Sequence, residues 1–266
     1  MMETLAIVGG GTVATGLAAC AVRGGTATLL VRSDESAARA ASAIAKACEK
    51  AGDGRDADRV EITRDIGRLA DASFIVEAVT EELSVKLDVL AAIAEVSSAN
   101  ALLASTTSSL SIELLSTATL HPERFVGLHV FTPVPKMPLV ELAFPRAALP
   151  DTRERAQKLC LALDKTAVEV PDQSGFIVNR LLFPYLFDAV RLLEQTGLTP
   201  GAIDACMRMG AGHPMGPIAL LDYVGLDVAE AIGDNLGLEV PALIRALVRE
   251  GRFGRKTGSG LHGTGP

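Results

Sequence analysis

The sequence predicts an α/β fold in which a mostly parallel β-sheet is followed by a smaller all-α C-terminal domain. Up to residue 170, short apolar runs rich in β-branched residues alternate with Ala- and Leu-rich stretches of helical spacing, which is typical of βαβ units. Beyond Pro171, apolar residues recur with a helical period and strand-like runs are almost absent. At 266 residues, the chain is long enough to bury the cores of two domains.

Each predicted strand is a short apolar run, and helical stretches separate several of these runs. In chain order, the predicted strands are 5–9, 27–31, 74–79, 101–106, 125–131 and 166–170, with helices at 34–50 and 83–96. The second domain is predicted to contain helices at 176–196, 217–233 and 241–250. Because Pro and Gly interrupt the chain at VPDQSG, 170–175, we divide it into domains 1–171 and 172–266.

The composition argues against several classes of partner. The net charge is −7, no dense Lys/Arg block occurs, and aromatic residues make up only 4% of the chain, with no Trp. Nucleic acids and anionic membranes are therefore not predicted as partners. The first apolar strand begins at Leu5, which leaves no room for a signal peptide, and no apolar run is long enough to span a bilayer. We expect a cytoplasmic protein.

The four cysteines, Cys20, Cys48, Cys160 and Cys206, are far apart, and none of them forms a C-x-x-C pair. This spacing is not that of a zinc site or of a disulfide framework. We expect buried free thiols in a reducing compartment and no metal site.

A Gly-rich segment, GGGTVATG at 9–16, joins the first strand to the first helix. It matches G-x-G-x-x-A, a fingerprint of Rossmann-type dinucleotide binding, in which Gly9 permits a tight turn and Gly11 lets the backbone approach a pyrophosphate. Such turns also occur as plain connections, but the strand before this one and the helix after it favour a cofactor site. The predicted cofactor contacts in this segment are Gly9, Gly11, Thr12, Val13 and Ala14.

The second strand ends in TLLVRSD, 28–34, where Arg32 lies 21 residues after Gly11. An Asp or Glu at such a position hydrogen-bonds the ribose hydroxyls of NAD, whereas an arginine accommodates the 2′-phosphate of NADP. Ser33 offers one more hydrogen bond. We therefore expect NAD(P) as the cofactor, with NADP favoured over NAD. The alternative is an exposed arginine at a strand end, with Asp34 binding the ribose.

Of the four histidines, His129 alone lies in an apolar strand, FVGLHVF at 125–131. A strand histidine is often structural, but a Pro-rich turn leads from this strand to LVEL, which we predict to be a strand of its own and whose return along the chain could place Glu141 beside His129. A carboxylate there would orient the imidazole for proton transfer. The hydroxyl-rich ASTTSSLSI, 104–112, follows another strand, and strand carboxyl ends are where such sheets bind ligands.

With these motifs, nearly the whole chain resembles the L-3-hydroxyacyl-CoA dehydrogenase family, which includes the 3-hydroxybutyryl-CoA dehydrogenases of fatty acid metabolism. The order and spacing of four segments carry the resemblance. These segments are TSSLSI, GLHVFTPVPKMPLVEL, SGFIVNR and GHPMGPIALLDYVGLD. The resemblance implies a dinucleotide-binding first domain, a helical second domain for substrate binding and dimerisation, and reversible hydride transfer between NAD(P) and C3 of a 3-hydroxyacyl thioester.

The resemblance also implies catalytic roles for four side chains. His129 would be the general base that takes the proton of the 3-hydroxyl group, and it would return that proton in the reverse direction. Glu141 would orient His129, and Ser108 would hydrogen-bond the reacting hydroxyl. Asn179, in SGFIVNR, would reach the substrate oxygen, although an asparagine there could equally cap a helix.

The family pattern further implies that Glu81, Lys86 and Ser108 line the cofactor site, although Glu81 and Lys86 could instead belong to a solvated helix face. The resemblance suggests a two-fold homodimer through the C-terminal domain, in which ALLDYVGLDVAEAI, 219–232, forms a buried helix face.

Several positions depart from the family pattern. Thr106 and Thr132 replace asparagines, and a Lys-rich helical hairpin that holds coenzyme A in the family is shorter here by roughly ten residues, nearly three helical turns. The basic residues that remain in this stretch are Lys46, Lys50, Arg55 and Arg59. This leaves open a substrate carried on a carrier protein or a free 3-hydroxy acid. A non-catalytic NAD(P)-binding module is the alternative from another class, since a fold alone does not establish function.

Overall fold

The computed structural model describes residues 3–23, 25–52 and 56–264. Arg55, one of the basic residues noted above, lies outside the described residues. The chain divides into two compact units, Met1–Gln173 and Ser174–Pro266.

The first unit is built on an eight-stranded sheet with the spatial order β3-β2-β1-β4-β5-β6-β7-β8. Its strands are β1 Leu5–Val8, β2 Ala27–Leu30, β3 Val60–Thr63, β4 Phe74–Glu77, β5 Leu102–Ser105, β6 Phe125–Val130, β7 Leu139–Ala143 and β8 Thr166–Glu169. All neighbours pair in parallel except β6 and β7, which are antiparallel. The predicted α/β class with a mostly parallel sheet is confirmed.

Every residue of β1, β4, β5 and β6 is buried, which is why these strands read as continuous apolar runs in the sequence. Parallel strands covered by helices on both faces require such runs. The helices of this unit are α1 Thr12–Ala21, α2 Asp34–Ala51, α3 Leu83–Val96, α4 Ile112–Thr117 and α5 Pro150–Ala162. The strand order reverses between β1 and β4, and in open α/β sheets such a switch point opens a crevice at the carboxyl ends of the strands.

One strand of this sheet, β3, was not predicted from the sequence. β3 has the sequence VEIT, and only Val60 in it is buried. Because β3 lies at the edge of the sheet, it needs neither the length nor the apolar run of a central strand. Its pairing with β2 therefore comes from tertiary structure rather than from a local pattern.

The second unit is helical, as predicted. Its elements are α6 Val178–Thr196, α7 Pro200–Gly210, α8 Pro217–Val224, α9 Leu226–Asn235 and α10 Ala242–Arg249, followed by a two-stranded ribbon, β9 Ser259–Gly260 and β10 Gly263–Thr264. Helix α7 was not predicted, although Thr199 caps its N-terminus and Pro200 opens its first turn. The predicted single helix 217–233 is wrong: Gly225, at φ 104°, lies outside helical geometry and separates α8 from α9.

The apolar face of segment 219–232 packs inside the second unit itself. Leu221, Leu226 and Ala229 are completely buried in one core cluster with residues of α6 and α10. This face is therefore used for the core of the unit, whereas Tyr223 and Val228 remain 43% and 41% exposed.

Among the cysteines, Cys20, Cys48 and Cys160 are buried, as expected, whereas Cys206 is exposed, and no disulfide joins any of the four within the described residues. Burial raises the pKa of the Cys160 thiol to about 12, which keeps it protonated and unreactive. In the described part of the chain, every helix is too short or too polar to cross a membrane.

Candidate active site

The Gly-rich segment turns sharply from β1 into α1. Gly9 has φ 137°, and a Cβ atom there would lie 2.3 Å from the carbonyl oxygen of Ala78, so the fold itself requires glycine. Gly11 is different, because a Cβ atom on it would meet no protein atom within 4 Å. A side chain at Gly11 would fill only the open space beside the N-terminus of α1, and that is where a pyrophosphate would lie.

The N-terminus of α1 is also chemically suited to an anion. No side chain caps this helix, and its first turn contains no acidic residue. The backbone N–H groups of the first turn and the positive end of the helix dipole therefore face the cavity described next. Gly11, Thr12 and Val13 line that cavity, whereas Ala14 is completely buried beneath it.

A cavity of about 920 Å³ lies at the carboxyl ends of the central strands of the first unit. It is lined by Val8–Val13 from the Gly-rich turn, Leu30–Arg32 and Ser36 from the region of β2 and α2, Ala78–Glu81 after β4, Thr106 and Ser108 after β5, and His129 and Val130 of β6. Its size and its place at the switch point fit a dinucleotide.

One end of this cavity carries three arginines, Arg32, Arg39 and Arg64. Only Arg32 was predicted from the sequence. Ser33, which was predicted to contact the cofactor, is not part of the cavity wall: its hydroxyl oxygen caps α2 by accepting the N–H of Ser36 at 3.2 Å. Arg64 was missed because it follows β3, the strand that the sequence analysis did not predict.

At the other end of the cavity, His129 faces Glu141 across the antiparallel β6–β7 pair. The two residues are direct partners in the strand register, and Nδ1 of His129 lies 2.7 Å from Oε2 of Glu141. Both are buried, with 5% and 2% of their surface exposed. The ring of Phe131 packs against the imidazole at 4.6 Å between centroids. This arrangement holds the imidazole so that Nε2 is the nitrogen directed away from the carboxylate.

Ser108 lies in the loop after β5, and Glu81 organises that loop. One carboxylate oxygen of Glu81 accepts the backbone N–H of Ser108 at 2.7 Å and its hydroxyl at 3.1 Å, and it also accepts the hydroxyl of Thr107 at 2.7 Å. Burial opposes ionisation of Glu81, but the ammonium of Lys86 and these hydrogen bonds outweigh it. The pKa of Glu81 is therefore lowered from its usual value.

Lys86 lies beneath the cavity wall rather than on it or on a solvated helix face. Its side chain is completely buried, with Nζ 2.8 Å from Oε1 of Glu77 and 3.4 Å from Oε2 of Glu81. Glu77 also accepts the hydroxyl of Ser105 at 2.6 Å. Lys86 therefore links a buried carboxylate at the end of β4 to the carboxylate that holds the Ser108 loop.

Glu77 and Ser105 were not predicted as parts of this network. A signal was present, since Glu77 is the one charged residue of the otherwise apolar FIVEAV run. A carboxylate in a buried strand requires a partner. Lys86, nine positions further along the chain, is that partner.

Asn179, the remaining predicted site residue, belongs to the second unit. It lies in the first turn of α6 and is buried, with 8% of its surface exposed.

Together, these features define the class of protein. The first unit has a Rossmann-type sheet with a dinucleotide-sized cavity, and that cavity is lined by an uncapped helix N-terminus at the glycine turn and by the histidine of a buried histidine–carboxylate pair. This is the arrangement of a nicotinamide-dependent oxidoreductase.

Comparisons with known proteins identify the family within that class. Residues 4–173 match the NAD-binding domain of 3-hydroxyacyl-CoA dehydrogenase, and residues 175–262 match the C-terminal domain of the same enzyme. The chain therefore belongs to the 3-hydroxyacyl-CoA dehydrogenase family, and the predicted resemblance is confirmed.

Individual relatives are similar over at least nine-tenths of their length. A mitochondrial hydroxyacyl-coenzyme A dehydrogenase of Sus scrofa is 35% identical over 98% of this chain and 91% of its own. A 3-hydroxybutyryl-CoA dehydrogenase of Mycobacterium tuberculosis is 35% identical over 98% of both chains. The crystal structure of (S)-3-hydroxybutyryl-CoA dehydrogenase from Ralstonia eutropha is 33% identical, covers 100% of both chains and has a TM-score of 0.89.

The buried pair of Lys86 and Glu77 leads to a stability prediction. Lys86→Met leaves the carboxylate of Glu77 buried without its cation, so we expect the free energy of unfolding to fall by about 3–5 kcal/mol. Urea denaturation followed by circular dichroism measures this change.

The control is Lys158→Met, which removes an exposed lysine that pairs with Glu154 on the surface of α5 and should change stability little. A Lys86→Met, Glu77→Leu double variant should recover part of the loss, because it leaves no unpaired buried charge. Equal stability of the Lys86 and Lys158 variants would show that the buried pair does not support the fold.

Proposed function

We propose that this protein oxidises the 3-hydroxyl group of a 3-hydroxyacyl thioester to a ketone, reversibly, with His129 as the proton acceptor and donor. The observation that carries the proposal is the buried His129–Glu141 pair on the wall of the same cavity that the Gly-rich turn opens into. Membership in the 3-hydroxyacyl-CoA dehydrogenase family supports the reaction class.

The proton step follows from the chemistry of the pair. Nδ1 of His129 donates to Glu141, so Nε2 accepts the proton of the substrate hydroxyl as hydride leaves C3. Glu141 stabilises the resulting imidazolium by its negative charge. A bound nicotinamide supplies the acceptor for the hydride. In reduction, Nε2 returns its proton to the oxygen at C3.

Ser108 is the second polar group that we assign to the substrate hydroxyl. Its side chain lies on the cavity wall, and Glu81 holds its backbone and its hydroxyl in one orientation. Asn179 of the second unit is proposed to hydrogen-bond the substrate oxygen, with its amide N–H₂ as the donor. Glu81 acts on the cofactor side of the cavity, and Lys86 acts through Glu81 as a positioning residue.

For the cofactor we propose NADP in preference to NAD. Arg32 lies on the cavity wall, where an acid would otherwise accept the ribose hydroxyls, and a guanidinium there attracts the 2′-phosphate. The alternative assigns the ribose to Asp34, which follows Ser33 at the start of α2.

For the acyl carrier we propose coenzyme A. Arg39, Lys50 and Lys136 line a second cavity of about 610 Å³ in the first unit, and their charges would attract the phosphates of coenzyme A. A carrier-protein thioester or a free 3-hydroxy acid is the alternative. Rates with acetoacetyl-CoA, acetoacetyl-pantetheine and free acetoacetate distinguish the three, since only the first carries the adenosine phosphates.

We also propose a homodimer that forms through the second unit. Leu181 is 70% exposed and lies with Met215 and Tyr223 on an apolar depression of about 640 Å³. Exposed apolar patches of this kind mark protein contacts. Light scattering should give the mass of two chains, and Leu181→Glu should shift it toward one chain.

A cytoplasmic location is proposed on the basis of the cysteines. In the part of the chain that the structure describes, the cysteines form no disulfide, which fits a reducing compartment. Fractionation of cells that express the full chain tests this location.

The proton step is tested with His129→Gln. We expect kcat for acetoacetyl-CoA reduction to fall about 10²- to 10⁴-fold, because the variant lacks the proton donor. Binding of the reduced cofactor, measured by its fluorescence, should not change. Glu141→Gln should lower kcat with little effect on KM, since Glu141 acts only through His129.

The matched control is His121→Gln, which removes an exposed histidine beside Glu123. Unchanged turnover in His129→Gln would refute the mechanism. If the wild-type protein binds NADPH or NADH but turns over none of the three acetoacetyl substrates, the non-catalytic alternative is correct.

Cofactor choice is tested by saturation with NADPH and NADH side by side. We expect NADPH to bind at least about tenfold more tightly, which corresponds to one charge-assisted contact to the 2′-phosphate. Arg32→Ala should remove most of this difference. Tighter binding of NADH by the wild-type protein would contradict the assignment of NADP.

A further inference from the structure

We propose that Arg64 is a second specificity-determining residue, which binds the 2′-phosphate of NADP together with Arg32. This inference rests on the proposed function in two respects, namely that the cavity of about 920 Å³ holds the dinucleotide and that this dinucleotide is NADP. Nothing in the Gly-rich fingerprint points to Arg64, because it follows a strand that the sequence pattern does not reveal.

The sheet register brings the two arginines to the same edge. β2 and β3 are parallel neighbours, with Leu30 opposite Thr63, and the N–H of Val31 donates to the carbonyl of Thr63 at 2.9 Å. Arg64 is the first residue after β3, and Arg32 is the second after β2. Neighbouring strands lie about 5 Å apart, so both residues follow the carboxyl ends of adjacent strands, with Arg64 one position short of Arg32 in the register. Both line the cavity.

The charges at this edge can accommodate a dianion. Within the part of the chain that the structure describes, Arg32 forms no ion pair. Arg64 donates through one nitrogen to both carboxylate oxygens of Asp34, at 3.1 Å each. That pair is solvated, with Arg64 56% and Asp34 88% exposed, so the contact is weak and Arg64 can exchange its partner.

The neighbouring elements add one more cation and one more acid. Arg39, one turn after Glu35 in α2, also lines the cavity and pairs with Glu35. The two acids therefore engage two of the three arginines, and neither Asp34 nor Glu35 is on the cavity wall. A 2′-phosphate between Arg32 and Arg64 would accept from two guanidinium groups, which form strong bidentate contacts with phosphate oxygens.

Asp34 is thus a positioning residue that holds Arg64 until the phosphate competes for it. Removing its charge by Asp34→Asn frees Arg64 and removes a repulsion, so phosphate binding should strengthen severalfold. The alternative role of Asp34 as the ribose acceptor makes the opposite prediction, because Asp34→Asn would then weaken binding of any adenosine nucleotide.

The test compares adenosine 2′,5′-bisphosphate with adenosine 5′-monophosphate by titration calorimetry on the full chain. These two ligands differ only in the 2′-phosphate and need neither substrate nor turnover. We expect Arg64→Ala and Arg32→Ala each to weaken the bisphosphate about tenfold and to leave the monophosphate unchanged. The matched control is Arg68→Ala, which removes another exposed arginine paired with an acid, Glu61, away from the cavity wall.

Three results would overturn the role of Arg64. One is that Arg64→Ala, like Arg68→Ala, leaves bisphosphate binding unchanged while Arg32→Ala weakens it. That result would leave the NADP preference intact. Another is that Arg64→Ala weakens the binding of both nucleotides equally, which would mean that Arg64 contacts the adenosine and not the 2′-phosphate. The last is a wild-type protein that does not distinguish the two nucleotides. That result also removes the NADP preference, whereas turnover of acetoacetyl-CoA with NADH would preserve the dehydrogenase assignment.

Discussion

The hydrogen bond between His129 and Glu141 depends on one antiparallel pairing in an otherwise parallel stretch of sheet. Because β7 runs back along β6, residue 129 and residue 141 become direct partners, and their side chains meet on one face at 2.7 Å. A buried imidazole and a buried carboxylate are each costly to desolvate alone, so each constrains the position of the other. The reversal of the sheet at β7 is therefore what gives the cavity a histidine of defined orientation.

A second buried contact supports the part of the cavity wall that follows β4 and β5. Lys86 links Glu77, at the end of β4, to Glu81, and Glu81 gathers the hydroxyl and backbone groups of residues 107–109. The position of Ser108 is thereby tied to the sheet through three charged side chains rather than through loop packing alone. Arg32, Arg39 and Arg64 lie at the other end of the cavity.

Much of the architecture was predictable because central parallel strands and amphipathic helices leave strong local patterns. The fully buried β1, β4, β5 and β6 were each found as apolar runs. The edge strand β3 was not, because a half-exposed strand of four residues has no such pattern. Helix α7 escaped for a related reason, since only Ile203 and Asp204 of its eleven residues are buried. Gly225 was visible in the sequence, but whether a glycine interrupts a helix depends on the packing around it.

The sequence by itself determined the chemistry available at the site: a Gly-rich turn after the first strand, a histidine in an apolar strand, a carboxylate in the strand that follows, and Arg32 in place of an acid. These are properties of residue type and short spacing, which local physics controls. Only the tertiary structure decided which groups meet. It buried Lys86 between two carboxylates, used the hydroxyl of Ser33 as a helix cap, and brought Arg32 and Arg64 from neighbouring strands to the wall of one cavity. Strand register and burial set those contacts, and both are relations between segments distant in sequence.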